Sequence, residues 1–215
     1  MGHCRVETVL FDLDGTLIDS FSLVFKGFKK AVYHFSNVKM TNKEVINLFG
    51  ETEKQAFYKL LGKENGEKCF RLYCYYYKKY HNRLVSIFNG MREILIKLKA
   101  CSIPCGIVTS KTRICTDFTL KELGIENYFD TVITGDDVIC LKPSAEPILK
   151  ALKNMQLRKN TIMIGDTPAD MISAKNAGII AGAALWGTYN RERLLAAPHN
   201  VTFDSPESLF RWLFC

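Results

Sequence analysis

Short apolar segments rich in β-branched residues alternate with amphipathic segments along most of this chain. Five of them predict strands, and each is bounded by turn residues or charges: VETVLF (6–11), IPCGIVT (103–109), TVIT (131–134), TIMIG (161–165) and IIAGAAL (179–185). Helical patterns lie between them at 90–100, 111–124, 144–155 and 167–178. Strands that alternate with helices predict an α/β fold, in which helices cover both faces of a parallel sheet.

A helical block interrupts this alternation between the first and second predicted strands. The pattern is helical throughout residues 18–88, and two of its helical segments are 51–62 and 67–84. Thr41 with Glu44 has the spacing of a capping box, and we expect Asp19 to cap the first helix of the block. At 215 residues the chain is long enough for one core that carries a modest insertion. We therefore predict a catalytic α/β core formed by residues 1–17 and 89–215, with a helical cap domain at residues 18–88.

Polar and charged side chains follow the predicted strands at the point where each strand ends. They are Asp12 and Asp14 after the first, Thr109 and Ser110 after the second, and Asp166 after the fourth, with Lys142 in the loop that follows the third. In open parallel sheets, ligands bind beyond the carboxyl ends of the strands, so these groups should converge at one edge. Carboxylates clustered there are costly unless a cation neutralises them.

The donor set of this edge indicates the cation and the chemistry. Carboxylates without an accompanying Cys or His set favour Mg²⁺, which binds one or two carboxylates together with a substrate phosphate. Lys142 and a Thr or Ser hydroxyl would hold phosphoryl oxygens. Asp12 would attack phosphorus to form an aspartyl-phosphate, and Asp14 would act as general acid and base.

Four motifs in this order, DLDGTL, VTSK, LKP and GDTPAD, resemble those of the haloacid dehalogenase superfamily of phosphatases over essentially the entire chain. The resemblance implies a Rossmann-like core with Asp12 as nucleophile, Asp14 as acid/base, and Thr109, the Ser110 amide and Lys142 as phosphate ligands. It also implies that Mg²⁺ is held by Asp12, the main-chain carbonyl of Asp14, and Asp166, with Asp170 supporting them. The functional residues that the resemblance implies are therefore Asp12, Asp14, Thr109, Ser110, Lys142, Asp166 and Asp170.

The inserted helices look like the small cap of phosphoglycolate phosphatases, and the segment 80–111 looks similar to the phosphoglycolate and pyrophosphate phosphatase branch. One departure is LKPSAEP, where Ser144 and Ala145 replace the Asp and Pro common in that branch. We therefore expect hydrolysis of phosphoglycolate or pyrophosphate, or of another small phosphomonoester or phosphoanhydride.

Three other functions remain open at this point. A sugar phosphomutase of the β-phosphoglucomutase type uses the same pair of aspartates. A haloacid dehalogenase needs neither Mg²⁺ nor a second acid two residues after the nucleophile, so Asp14 and Asp166 argue against it. A catalytically silent phosphate-binding module would not require the intact acids and lysine.

Charge and composition bound the partners. The net charge of +7 favours anionic ligands, but the basic residues are spread along the chain and do not predict a nucleic-acid surface. The eight cysteines are scattered, which predicts neither a disulfide framework nor a zinc site. No segment predicts a signal peptide or membrane span. We expect a cytoplasmic monomer or small homo-oligomer that acts on a small phosphorylated substrate, without nucleic-acid or membrane partners.

Overall fold

The structure is a computed structural model that describes residues 5–156 and 160–215. Residues 1–4 of the predicted core segment 1–17 and residues 157–159 of the second core segment lie outside the described residues. The strands are β1 (Thr8–Phe11), β2 (Ile18–Asp19), β3 (Ser86–Ile87), β4 (Cys105–Val108), β5 (Thr131–Ile133), β6 (Thr161–Gly165), β7 (Ile180–Ala184) and β8 (Val201–Phe203). The helices are α1 (Phe21–Ser36), α2 (Asn42–Ile46), α3 (Glu53–Leu84), α4 (Met91–Ala100), α5 (Arg113–Leu123), α6 (Glu146–Asn154), α7 (Pro168–Asn176), α8 (Arg191–Ala196) and α9 (Pro206–Phe214).

Within the described residues, six strands form one parallel sheet in the order β5-β4-β1-β6-β7-β8. The central strand β1 pairs with β4 on one side and β6 on the other, so that Leu10 lies level with Gly106 and Met163. Consecutive strands of this sheet are joined by connections that contain helices, as parallel pairing requires. This confirms the predicted α/β fold.

The alternation of side chains along each strand separates the core into two layers. Val9 and Phe11 pack into one buried cluster and Leu10 into the other, because successive strand residues point to opposite faces. Met163 faces the same side as Leu10, while the neighbouring residues of β6 face the other. Helices α6, α7 and α8 cover the Leu10 side, and α4, α5 and α9 contribute to the opposite cluster. Each large side chain buried this way stabilises the fold by about 1.5–3 kcal/mol.

The C-terminal part of the sheet was not predicted from the sequence. Strand β8 has only three residues, too few to show a period of two, and it pairs with β7 at the edge of the sheet. Helix α9 begins with a capping box between Ser205 and Ser208, a pairing outside the usual Glu or Gln signature. Both elements extend the predicted core.

Helices α1 to α3 lie between β2 and β3, as expected for the inserted block. The strands β2 and β3 pair antiparallel, so the chain leaves and re-enters the core at one place. The capping box of Thr41 and Glu44 begins α2, as predicted. Gly62, with φ of 75°, interrupts α3, which corresponds to the two separate helical segments predicted there. The exact division at residues 17/18 and 88/89 stays a prediction.

Within the described residues, no helix combines the length and the apolar character needed to cross a bilayer.

Candidate active site

The sheet brings the predicted site residues to its carboxyl edge by backbone pairing. Asp12 follows β1 directly, and its amide donates to the carbonyl of Ile164 in β6 at 2.8 Å. Thr109 follows β4, and its amide donates to the carbonyl of Ile133 in β5 at 2.9 Å. Because the ladder continues one residue beyond each strand, these side chains leave the sheet in fixed directions.

Three buried carboxylates lie close together, and one buried ammonium group contacts two of them. Oxygens of Asp12, Asp166 and Asp170 lie within 4.8 Å of one another. Lys142 Nζ donates to Asp12 Oδ1 at 2.9 Å, to Asp170 Oδ1 at 2.5 Å and to the carbonyl of Val108 at 2.9 Å. Three carboxylates against one ammonium leave this cluster with an excess of negative charge.

The protonation of the cluster reflects that excess. Burial raises the pKa of Asp12 from 3.8 to about 6, although Lys142 opposes the increase. Burial, followed by repulsion from Asp12 and Asp170, raises the pKa of Asp166 well above its usual range. Burial alone would lower the pKa of Lys142, but the two carboxylates it contacts raise it above the ordinary value. The site therefore favours an additional cation, which would allow Asp12 and Asp166 to ionise together.

The close approach of the DLDGTL loop to Asp166 depends on a glycine. Gly15 has φ of 81°, and a Cβ at this position would lie 2.3 Å from Asp166 Oδ2. Thr16, the next residue, donates its hydroxyl to Asp166 Oδ1 at 3.0 Å. A side chain at position 15 would therefore push the loop away from the carboxylate that Thr16 orients.

A second ion-pair network holds Asp14. The buried Lys111 Nζ lies 3.0 Å from Asp14 Oδ2 and 3.4 Å from Oε1 of Glu53, the first residue of α3. The hydroxyl of Ser20 donates to Asp14 Oδ1. Glu53 Oε2 also accepts from the amide of Thr112 at 2.8 Å. Asp14 is thus fixed between the core and the inserted helices.

Six of the seven predicted residues, all except Asp170, line one cavity of about 360 Å³. They are Asp12, Asp14, Thr109, Ser110, Lys142 and Asp166. Thr109 is buried and its hydroxyl accepts from the amide of Lys111 at 3.2 Å, which leaves its own proton free to donate. The structure therefore brings these residues together, while their individual roles stay predictions.

Sequence reasoning missed two residues of the site, Lys111 and Glu53, and assigned the wrong role to Asp19 outside it. Lys111 stands inside the VTSK motif, so its position beside Thr109 was an available signal. Glu53 gave no signal beyond that of an ordinary acid in the first turn of a helix. The sequence pattern favoured Asp19 as the cap of the first inserted helix, which is wrong: Ser20 is the N-cap and Asp19 is exposed in β2.

The residues present fit a Mg²⁺ ion. The cluster of Asp12, Asp166 and Asp170 offers carboxylate oxygens, the ligands that Mg²⁺ prefers, and within the described residues no other group of three or more acidic, His or Cys side chains is close enough to hold a metal. Because Asp170 Oδ2 accepts from the hydroxyl and amide of Thr167, at 2.5 and 3.0 Å, its position is fixed by the start of α7. The participation of the Asp14 main-chain carbonyl stays a prediction.

Known proteins resemble this chain in sequence. Residues 9–184 match the family described as haloacid dehalogenase-like hydrolase. Pyrophosphatase PpaX from Bacillus mycoides is 31% identical over 206 residues, which cover 95% of each chain, and PpaX from Bacillus velezensis is 33% identical over 196 residues, 89% of each chain.

Solved structures share the fold at lower identity. A predicted phosphoglycolate phosphatase from Haemophilus somnus superposes with a TM-score of 0.85 at 21% identity, covering 98% of this chain and 99% of that one. CbbY from Rhodobacter sphaeroides, in complex with phosphate, has a TM-score of 0.85 at 18% identity, covering 97% and 99%. With the family match extending through every strand from β1 to β7, the chain belongs to the haloacid dehalogenase-like hydrolase family.

Proposed function

We propose that this protein is a Mg²⁺-dependent phosphatase that hydrolyses a small phosphomonoester or phosphoanhydride through an aspartyl-phosphate on Asp12. The observation that carries the proposal is the buried cluster of carboxylates at the floor of the cavity, neutralised only in part by Lys142. A Mg²⁺ ion held there would supply the missing positive charge, and a phosphoryl substrate bound to the ion would have its phosphorus beside Asp12.

Each residue of the site has a distinct part in the proposed reaction. A carboxylate oxygen of Asp12 attacks phosphorus while the bond to the leaving oxygen breaks, and Asp14 gives that oxygen a proton. Asp14 then takes a proton from the water that cleaves the aspartyl-phosphate. Thr109, the Ser110 amide and Lys142 hold the phosphoryl oxygens.

Asp12, Asp166 and the main-chain carbonyl of Asp14 would hold Mg²⁺, with Asp170 beside them. When bound, the ion neutralises charge on the phosphoryl oxygens in the transition state. We also propose that the cap at residues 18–88 closes over the core formed by 1–17 and 89–215 and excludes bulk water during the reaction. The names of the relatives make pyrophosphate and phosphoglycolate the first substrates to assay.

The test is release of inorganic phosphate from pyrophosphate, phosphoglycolate, sugar phosphates and nucleotides, with and without Mg²⁺. We expect Asp12→Asn to lower kcat/KM on the order of 10³-fold or more, because the nucleophile is lost. Asp19→Asn is the matched control, since Asp19 is exposed and does not line the cavity. Turnover that survives in Asp12→Asn would refute the proposal, and an isomerised sugar phosphate as product would favour a mutase instead.

A further inference from the structure

The cavity that contains the carboxylate cluster has a wall of a different character on the side of the inserted helices. This wall, which we call the vestibule wall, consists of apolar side chains from α1, α2 and the segment after α2: Phe21, Val24, Phe28, Ile46, Leu48 and Phe49. The polar site residues come from the carboxyl edge of the sheet. The leaving group of a phosphoryl group seated among them therefore has an apolar surface within the same cavity.

Aromatic contacts between the inserted helices and the core complete the vestibule wall. The ring of Phe21 packs edge-on against Tyr189, in the loop after β7, at 4.2 Å between centroids, and stacks on Phe49 at 5.8 Å. Phe49 in turn lies 6.3 Å from Tyr189. The vestibule wall is thus in direct contact with the core through Tyr189.

The two buried cations of the cavity are already paired with carboxylates of this chain. Lys142 contacts Asp12 and Asp170, and Lys111 contacts Asp14 and Glu53. Among the described residues that line the cavity, Arg193 is the one further cationic side chain, and it is exposed on α8.

The charged residues that the inserted helices add to the cavity are acidic. They are Glu51, which pairs with Lys59, and Glu53. A second anionic group that points toward the inserted helices, away from the exposed Arg193 on α8, would meet apolar rings and these carboxylates, and burying an uncompensated anion is costly. An uncharged leaving group meets no such penalty and gains from the apolar contact.

We infer that the vestibule wall selects phosphomonoesters with an uncharged, apolar aryl or alkyl leaving group over pyrophosphate and other substrates with a second anionic group. The inference rests on the proposed phosphatase function and names the substrate class of the same site. At about 360 Å³ the cavity is at the small end of the range for ligand sites, which suits a single ring or a short branched chain.

Two aryl phosphates of similar size separate the effect of charge from that of shape. These are 4-methylphenyl phosphate and 4-carboxyphenyl phosphate, assayed beside pyrophosphate and phosphoglycolate with Mg²⁺. The carboxylate makes the phenol a better leaving group, so intrinsic reactivity favours 4-carboxyphenyl phosphate. We nevertheless expect kcat/KM for 4-methylphenyl phosphate to be higher than that for 4-carboxyphenyl phosphate by roughly tenfold or more.

Phe49→Arg tests the wall directly, and Phe35→Arg is the matched control. Phe49 and Phe35 are similarly exposed, at 38% and 36%, but Phe35 does not line the cavity. In Phe49→Arg the ratio of kcat/KM for 4-methylphenyl phosphate to that for 4-carboxyphenyl phosphate should fall on the order of tenfold, because the new cation favours the substrate with the second anionic group. Phe35→Arg should leave it unchanged, and a thermal melt checks that both variants fold.

The outcomes distinguish this inference from the proposed function. If pyrophosphate, phosphoglycolate or 4-carboxyphenyl phosphate is a better substrate than 4-methylphenyl phosphate, while Asp12→Asn remains inactive, the phosphatase proposal stands and the inference is overturned. The inference also fails if Phe49→Arg lowers kcat/KM for all substrates equally, since the wall would then serve only to close the cleft. Absence of Mg²⁺-dependent turnover on every substrate would overturn both.

Discussion

The buried carboxylate cluster predicts an unusual dependence of stability on pH in the metal-free protein. The pKa of Asp12 is about 6 in the folded protein against an ordinary value of 3.8, because the group is buried. Between these values the folded chain holds a proton on Asp12 that the unfolded chain has lost. This stabilisation is fully present below pH about 4 and is lost as the pH rises through about 6. The difference between the two pKa values corresponds to about 3 kcal/mol of unfolding free energy.

Asp12→Asn isolates this contribution, because an amide does not titrate. In urea denaturation with EDTA at pH 4 and pH 7, the free energy of unfolding of the variant should rise relative to wild type by about 2–3 kcal/mol over that interval, since part of the stabilisation is already lost at pH 4. Groups that do not interact with Asp12 cancel in the comparison, whereas Asp166 and Lys142 interact with it, so the sign of the change is the result that tests the reasoning. Addition of Mg²⁺ at pH 7 should restore wild-type stability, by about 2.7 kcal/mol at a concentration 100 times Kd.

A difference between the two proteins that stays constant with pH would refute the reasoning. It would mean that Asp12 ionises at its ordinary pKa, so that neither burial nor the neighbouring carboxylates raise it in solution. A difference that changes with the opposite sign would mean that Lys142 outweighs burial and that the site needs no further cation.

Three further perturbations follow from the contacts of the site. Lys111→Met removes a buried ammonium from beside Asp14 and should lower the free energy of unfolding by about 3–5 kcal/mol, measured in urea. Gly187→Ala would place a Cβ 2.1 Å from the carbonyl oxygen of Gly15 and should cost about 1–3 kcal/mol in the same assay, because backbone must move. Asp166→Asn should abolish the increase in Tm that Mg²⁺ gives the wild type, measured by thermal melting, since a carboxylate of the metal cluster is lost.

Each of these has a control or a contrary outcome. Lys78→Met removes an exposed lysine and should change stability by no more than about 0.5 kcal/mol. An equal loss in Lys78→Met and Lys111→Met would contradict the assignment of a buried ion-pair network. Gly187→Ala with unchanged stability would show that the loop at Gly15 can move freely. Asp19→Asn is the control for Asp166→Asn and should keep the increase in Tm that Mg²⁺ gives the wild type. If Asp166→Asn keeps this increase as well, the ion binds elsewhere.

The alternation of apolar and amphipathic segments was sufficient to predict the parallel sheet and its position in the chain. The same local pattern placed Asp12, Asp14, Thr109 and Asp166 at strand ends, because in a parallel sheet the carboxyl end of each strand is the edge at which ligands bind. The capping box of α2 was also predictable, since its two partners are three residues apart. These features depend on neighbours along the chain or on one rule of topology.

The tertiary structure decided which charges pair. Lys142 contacts Asp12 across 130 residues, and Lys111 contacts Asp14 across 97, so no local pattern relates the partners. Glu53 looks in the sequence like any acid at a helix start, and only the packing of α3 against the core brings it to Lys111. The apolar wall has the same origin, because whether Phe49 faces a cavity or another helix depends on how the inserted helices sit on the sheet. The sequence determined the chemistry of the strand ends, whereas folding over long separations determined the charge balance and the surface that receives the leaving group.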